Sequence, residues 1–183
     1  MKQVIAQASK RVQAAPKKLT KEELHEWKSV CNDLSKSLMN LSRAVKGPDP
    51  RFTRSVRTVL KNVYQKVYNK GIGDPTKVVQ LKVKVDKLVK SAPSKGQVKA
   101  KDQQKNVNDL IATAKRMIAQ GGQQMADHSD PEEVLYVMDA MDVLDIAQAL
   151  ADGNMKKAKN LIMKMDTAPS EELPSNVWDL VHG

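Results

Sequence analysis

Apolar residues recur every three or four positions through most of this chain, which is the spacing of one face of an α-helix. Between residues 21 and 46 these steps run without interruption and form a heptad seam. The seam consists of Leu24, Trp27, Cys31, Leu34, Leu38, Leu41 and Val45. Because a heptad seam needs a partner helix, it packs either inside a bundle or against a second copy of the chain, which makes a homo-oligomer through residues 24–45 one candidate assembly.

Two further segments place their apolar residues on one helical face. The segment 50–70 does so with Phe52, Val56, Val59, Leu60, Val63 and Val67, and the segment 75–91 does so with Val78, Leu81, Val85 and Leu88. The stretch LKVKVDKLV also alternates as a strand would, but its Asp-Pro start and its steps of three and four favour a helix. Polar residues 91–106 predict a linker, and the chain closes with a helical turn that we expect Trp178 to anchor.

Capping residues and glycines mark the predicted ends of the helices. Asp-Pro occurs at 49–50, 74–75 and 130–131, where Asp can cap free N–H groups and Pro suits the first helical position. Thr20 with Glu23, and Asp130 with Glu133, have the spacing of a capping box. Glycines predict helix ends at Gly47, Gly71, Gly73, Gly121, Gly122 and Gly153.

These patterns predict an all-α protein, a helical bundle of about seven helices with a C-terminal helical hairpin module. One Phe, two Trp and three Tyr are the only aromatic residues, so the core must be mainly aliphatic, which bundles tolerate better than β-sandwiches. We expect a basic N-terminal arm at 1–19, a basic helical bundle at 20–120 and an acidic helical hairpin module at 127–183.

The charge of the chain changes sign along its length. Residues 1–118 hold 27 Lys and Arg against 9 Asp and Glu, a net charge of +18. Residues 119–183 hold 4 against 12, a net charge of −8, so the whole chain carries +10. The basic part should attract polyanions, and the acidic part should repel them or cover the basic part.

The segment 50–70 and the helix after it are the best candidates for a polyanion surface. On a helical wheel the apolar arc of 50–70 spans about 80–180°, whereas three of its cations and a tyrosine fall at about 240–300°. Four lysines of the next helix lie opposite its apolar face. The candidate nucleic-acid-binding residues are Arg51, Arg54, Arg57, Lys61, Tyr68, Lys77, Lys84, Lys87 and Lys90. The alternative is that these are ordinary solvated helix faces.

Three acids alone interrupt the run from Arg51 to Lys105, which favours polyanion binding over a mixed, solvated surface. Nucleic acid is the expected partner, bound through its phosphate backbone without sequence preference, because the few aromatics disfavour base stacking and no zinc-finger spacing occurs. Residues 2–15 are also basic, but they lack the Trp, Phe and Leu that drive insertion into a membrane surface.

Other chemistry is sparse in the sequence. Asp139, Asp142 and Asp145 form a regular series, which we interpret as a solvated acidic face that could dock against the basic helices. The three histidines are far apart, and Cys31 occupies a seam position, so we expect no metal, no cofactor and no enzymatic activity.

The leading hypothesis is therefore a non-enzymatic, nucleic-acid-associated protein whose acidic part, 127–183, contacts a protein partner or moderates binding by competing for the same cations. The alternative is a structural or scaffold subunit of a viral particle or another large assembly, in which the oppositely charged parts join neighbouring copies. Both hypotheses predict a chain without a transmembrane segment, in the cytoplasm, elsewhere inside the cell or within a virion.

Overall fold

The structure of the chain is a computed structural model, and it describes residues 19–69, 74–127, 135–165 and 170–182. Within these ranges the regular elements are all helical, so the prediction of an all-α bundle of about seven helices is confirmed. The α-helices are α1 (Lys21–Ala44), α2 (Pro50–Val63), α3 (Pro75–Lys90), α4 (Gln104–Asp127), α5 (Leu135–Ala151), α6 (Met155–Met163) and α7 (Ser175–His182). A π-helical turn, Tyr64–Asn69, continues α2, and a 3₁₀ turn, Lys101–Gln103, precedes α4.

The five longest helices pack in a closed ring. Helix α1 lies between α3 and α4, α4 also packs against α5, α5 packs against α2, and α2 packs against α3. The two short helices are added outside this ring, with α6 on α5 and α7 against both α6 and α4. A single aliphatic core runs through all of these helices, from Trp27 to Val177.

The heptad seam of α1 is filled within the chain. Six of its seven residues, from Trp27 to Val45, are at most 2% exposed, and only Leu24 lies at the surface. Helices α3 and α4 are the partners that cover the seam. Of the two alternatives for the seam, packing inside the bundle is therefore the one observed, and an assembly of several copies would have to use other residues.

Local capping chemistry fixes the starts of α1 and α2. The Thr20 hydroxyl accepts a hydrogen bond from the Glu23 amide, and the Glu23 carboxylate accepts one from the Thr20 amide, so the predicted capping box is present. Asp49 caps α2 by accepting from the amides of Arg51 and Phe52. Asp74 precedes Pro75 as predicted, but its carboxylate pairs with Lys77 instead of capping the helix.

The predicted helix end at Gly121 and Gly122 is wrong, because α4 continues through both glycines to Asp127. The reason is close packing. A Cβ atom on Gly121 would lie 2.3 Å from the Val137 side chain of α5, and one on Gly122 would lie 3.2 Å from Leu38 Cβ of α1. These glycines let neighbouring helices approach α4 on two sides. The predicted linker, 91–106, is also shorter than expected, because helical structure resumes at Lys101.

The C-terminal helical hairpin is present, with α5 and α6 joined at Gly153, whose φ of +78° lies in the left-handed region. The α7 segment is fastened to α4 by Asn176, whose amide donates to Asn106 and Asp109. Its anchor in the core is Val177, which is fully buried, and not Trp178, which is 37% exposed and stacks on His182.

The predicted boundary near residue 120, between the basic bundle and the acidic hairpin module, stays a prediction. In space, α5 of the acidic part packs against α4 and α2 of the basic part, and one core includes residues of both. Several other predictions lie outside the described residues. They concern the arm at 1–19 except for Leu19, the glycines Gly71 and Gly73, and the capping box of Asp130 with Glu133.

Candidate nucleic-acid interface

Helix α2 turns an apolar face to the core and a basic face to solvent. Its buried residues Phe52, Val56, Leu60 and Val63 recur with helical spacing, so the side of the helix opposite them faces outward. All four predicted cations of this helix are exposed, namely Arg51, Arg54, Arg57 and Lys61. The helical wheel therefore placed them correctly.

Arg57 differs from its neighbours because it has an acidic partner. Its guanidinium lies 2.8 Å from the carboxylate of Asp145 on α5, although 54% of the Arg57 side chain stays exposed. Arg51, Arg54 and Lys61 have no ion-pair partner among the described residues. Three of the four cations on α2 are thus exposed and unpaired within the described residues.

The four predicted lysines of α3 are also exposed, but they differ in their surroundings. Lys77 pairs with Asp74 at 3.3 Å, and this hydrogen bond lowers the pKa of the Asp74 carboxyl. The charge of Lys90 helps to lower the pKa of Asp86, one turn away. Lys84 and Lys87 have no ion-pair partner in the part of the chain that the structure describes.

Two polar contacts mark the limits of this basic surface. The Arg57–Asp145 pair lies where α2 meets α5, and the Ser37 hydroxyl donates to Asp86 at 2.7 Å where α3 meets α1. Helices α2 and α3 are neighbours in the ring, and each carries exposed cations without an ion-pair partner among the described residues. We call the outer surface of the two helices that carries these cations the α2–α3 face, formed by Arg51, Arg54, Lys61, Lys84 and Lys87.

The contact at the α1–α3 limit is also electrostatic. Burial acts to raise the pKa of Asp86, but hydrogen bonds from Lys82 and Ser37 and the charges of Lys82 and Lys90 outweigh it and lower the pKa. The hydrogen bond between Lys82 and Asp86 also raises the pKa of Lys82, because the Lys82 ammonium donates to the Asp86 carboxylate. Asp86 is thus engaged in holding α3 on α1.

Tyr68, the one aromatic residue of the predicted site, lies in the π-helical turn that follows α2. The structure does not describe the side chain of Tyr68, so the predicted role of this residue beside the cations stays a prediction. The π-turn itself was not predicted, because a single extra residue in one turn leaves the apolar spacing of 50–70 almost unchanged.

Three ion pairs between described residues connect the acidic part of the chain to the basic part. They are Arg57–Asp145, Lys99–Asp152 at 3.7 Å and Arg116–Glu172. Asp145 belongs to the acidic series predicted to dock against the basic helices, and it does so within the chain. Asp139 and Asp142 have interactions of their own. The separation of charge along the sequence is thus partly neutralised in space.

The potential metal ligands among the described residues are dispersed, and the one cysteine of the chain is buried. No three His, Cys, Asp or Glu side chains there lie close enough together to hold a metal ion. Cys31 is buried in the seam, and burial raises the pKa of its thiol to about 12, which leaves it protonated and unreactive at neutral pH. None of the described helices combines the length and the apolar content needed to cross a bilayer.

The sequence reasoning missed one basic surface, which lies on α6. Its lysines stand within the acidic part of the chain, so the net charge of −8 over residues 119–183 concealed them. A search for clusters of exposed cations along each helix would have found this surface. Comparison of the chain with protein-family models, with curated proteins and with solved structures gave no match.

Proposed function

We propose that this protein binds the phosphate backbone of nucleic acid through the α2–α3 face, without enzymatic activity and without sequence preference. The observation that carries the proposal is the row of exposed cations Arg51, Arg54 and Lys61, which have no acidic partner among the described residues. A surface that only solvates a helix usually mixes charges of both signs, and this one does not.

The spacing of these cations suits a regular polyanion. Arg51 and Arg54 are one helical turn apart, and Lys61 lies two turns further along the same helix, so each can reach a different phosphate. Lys84 and Lys87 widen the surface on the neighbouring helix α3. Phosphate contacts of this kind fix the position of a protein on nucleic acid but carry no base sequence.

In this proposal the acidic part of the chain moderates the binding of nucleic acid. Asp145 already holds Arg57, which borders the α2–α3 face, so a phosphate that approaches Arg57 has to compete with a carboxylate. Competition of this kind weakens binding without blocking the remaining cations. It would be strongest at low salt, where both interactions are least screened. A protein partner at 127–183 is the other use we propose for the acidic part.

The test is a binding experiment with labelled double- and single-stranded DNA and RNA over a series of salt concentrations. We compare the full chain with the variant Arg51→Gln/Arg54→Gln/Lys61→Gln. Removing three phosphate contacts should make the log–log dependence of affinity on salt shallower by about 3 and weaken binding at least ~10-fold at low salt.

A matched control removes three exposed cations from another helix, in the variant Lys21→Gln/Lys28→Gln/Arg43→Gln on α1. It has the same net charge as the α2 variant, so it reports the effect of overall charge alone. If the two variants lose the same affinity, or if the full chain does not bind at low salt, the α2–α3 face is not a nucleic-acid site.

The alternative, a scaffold subunit of a viral particle or another assembly, rests on the same division of charge. Three of its opposite charges already pair within the chain, at Arg57, Lys99 and Arg116, which leaves fewer of them to join copies. Sedimentation of the full chain without nucleic acid separates the two functions. Self-association that weakens as salt is added would favour the assembly, whereas a monomer at low salt and high concentration would exclude it.

A further inference from the structure

Helix α6 is basic although it lies in the acidic part of the chain. All four lysines of residues 119–183 belong to this helix or follow it directly: Lys156, Lys157, Lys159 and Lys164. Each of them is exposed, and none has an ion-pair partner within the described ranges. Four free ammonium groups in so short a segment give a strongly positive local surface.

None of the described acids of the same part of the chain forms an ion pair with these lysines. Three acids of this part are engaged with cations of the basic part, in the pairs Asp145–Arg57, Asp152–Lys99 and Glu172–Arg116. Glu171 and Asp179 are exposed near α7, and they form no ion pair with α6 among the residues described. Among the described residues, three acids of this part therefore hold cations of the basic part, whereas the α6 lysines face solvent without an ion-pair partner.

The lysines of α6 surround a shallow depression that is open to solvent. It measures about 400 Å³ and is lined by Lys156, Lys157 and Lys164 together with Asn154, Asn160 and Leu161. Ammonium and amide groups together offer several hydrogen-bond donors to phosphate oxygens. A site this open does not enclose a small ligand, but an extended phosphate backbone can lie across it.

The linker brings a further cation to the start of this helix. The amides of Lys99 and Ala100 donate to the Ala151 carbonyl at 2.8 and 3.2 Å, which places the linker beside the turn that leads into α6. Lys99 is held there by Asp152, whose carboxylate forms the acidic edge of the surface. The positive surface thus begins beyond Asp152 and extends along α6 to Lys164.

We infer that α6 is a second phosphate-binding surface of this protein, with Lys156, Lys157 and Lys164 as its cations. It contacts the backbone of nucleic acid through residues separate from the α2–α3 face. The choice of nucleic acid as the phosphate-bearing polymer rests on the proposed function, whereas the lysine surface itself does not.

The variant Lys156→Gln/Lys157→Gln/Lys164→Gln tests this inference by removing the three cations while leaving the core of α6 unchanged, because Ala158 and Ile162 are its buried residues. We measure binding to a labelled duplex over a salt series, beside the α1 control variant with the same net charge. The expected result is a slope shallower by about 2 to 3 and an affinity at least ~10-fold lower at low salt than that of the control.

Equal binding by the α6 variant and the α1 control variant would overturn the inference. Loss of affinity in the α6 variant but not in the α2 variant would support α6 as a site while removing the α2–α3 face from the proposed function. Vesicles that contain anionic lipid provide the last comparison, since binding to vesicles but not to any duplex would assign the lysines to a membrane surface instead.

Discussion

Gly121 shows how one residue sets the distance between two helices. A Cβ atom at this position would lie 2.3 Å from Cγ2 of Val137 and 3.2 Å from the Val137 backbone nitrogen. The valine side chain is branched at Cβ and has little freedom to turn away. Gly121 therefore lowers the helix propensity of α4 but allows α5 to pack closely against it.

We predict that Gly121→Ala destabilises the protein although alanine is the better helix former. Helix propensity favours the substitution by about 1 kcal/mol, whereas overpacking of a tight helix contact costs about 1–3 kcal/mol. The net loss in the free energy of unfolding should be about 1 kcal/mol, measured by denaturant titration followed by circular dichroism.

Gly122→Ala serves as the matched comparison, because its added Cβ would meet Leu38 Cβ at 3.2 Å and the Ser35 carbonyl at 3.4 Å. These contacts are tight, but they require a shift of only a few tenths of an ångström, so the loss should be smaller than that of Gly121→Ala. A Gly121→Ala protein more stable than the original chain would show that α4 and α5 can move apart without cost.

Single residues could be predicted from the sequence where their role is local. Asp49 and the Thr20–Glu23 pair cap their helices as expected, since a cap depends only on residues within one turn. Gly121 and Trp178 were misinterpreted because their roles depend on distant neighbours. A glycine that ends a helix and a glycine that admits another helix look the same in a sequence.

At the scale of elements, Asp86 couples α3 to α1. Its carboxylate accepts a hydrogen bond from the Ser37 hydroxyl of α1 and another from Lys82 on its own helix. Ser37 is only 3% exposed, so its hydroxyl has few other partners. The carboxylate thus serves both as an acceptor across the helix interface and as a partner for a surface cation.

We predict that Asp86→Asn lowers the free energy of unfolding by about 1 kcal/mol at neutral pH. The neutral amide lacks the negative charge that strengthens two hydrogen bonds to the carboxylate at this partly exposed site. The lowered pKa of Asp86 gives the difference a defined pH dependence. The difference in free energy of unfolding between the original chain and the variant is present above the unfolded-state pKa, about 4. It is lost as the pH falls through the lower folded-state pKa. Denaturant titration from pH 7 to pH 2.5 measures it.

The control for this prediction is Asp179→Asn, which removes an exposed carboxylate of α7. Its effect on stability should stay small throughout the pH range. A difference for Asp86→Asn that persists unchanged at the acid end of the range would mean that shape, and not charge, accounts for the contribution of this residue.

The faces of the helices could be predicted, but their neighbours could not. Apolar spacing identified the buried sides of α1, α2 and α3, because that spacing follows from the geometry of a single helix. It does not say which helix covers a seam, so the order of the ring is visible only in the structure. Val79 and Val83 stand outside the seam of α3 and are exposed.

At the scale of the whole molecule, the two oppositely charged parts are joined by one core and by ion pairs. Deleting 127–183 would remove α5, whose side chains Val143, Ile146 and Leu150 are fully buried. The remaining ring would be open, so a truncated chain would report on unfolding together with charge. A single substitution at Asp145 tests competition for the basic face without opening the core.

We predict that Asp145→Asn tightens nucleic-acid binding by about 3- to 10-fold at low salt, because Arg57 is released for one further phosphate contact. The log–log dependence on salt should become steeper by about 1. Glu172→Gln is the control, since it removes the same charge but releases Arg116 on α4. If both substitutions tighten binding equally, only net charge matters and Asp145 does not compete.

The part of the candidate site that could be predicted from the sequence is the part whose cations lie within one segment. Arg51, Arg54 and Lys61 stand close together in the chain, so their shared face follows from helix geometry. The partner of Arg57 could not be predicted in this way, because it depends on a contact between distant segments. The α6 lysines also lie close together in the chain, but the net negative charge of residues 119–183 concealed them.

The position of α5 in the ring has a consequence for the order in which the protein can be made. Helix α5 separates α4 from α2 and closes the ring, yet it follows four of the other described α-helices along the chain. Until residue 151 has emerged, α2 and α4 lack a neighbour, and the cations of α2 are present without Asp145. A nascent chain that has not yet added α5 is therefore more positively charged and less compact than the folded bundle, and α5 supplies both the missing core side chains and the partner of Arg57.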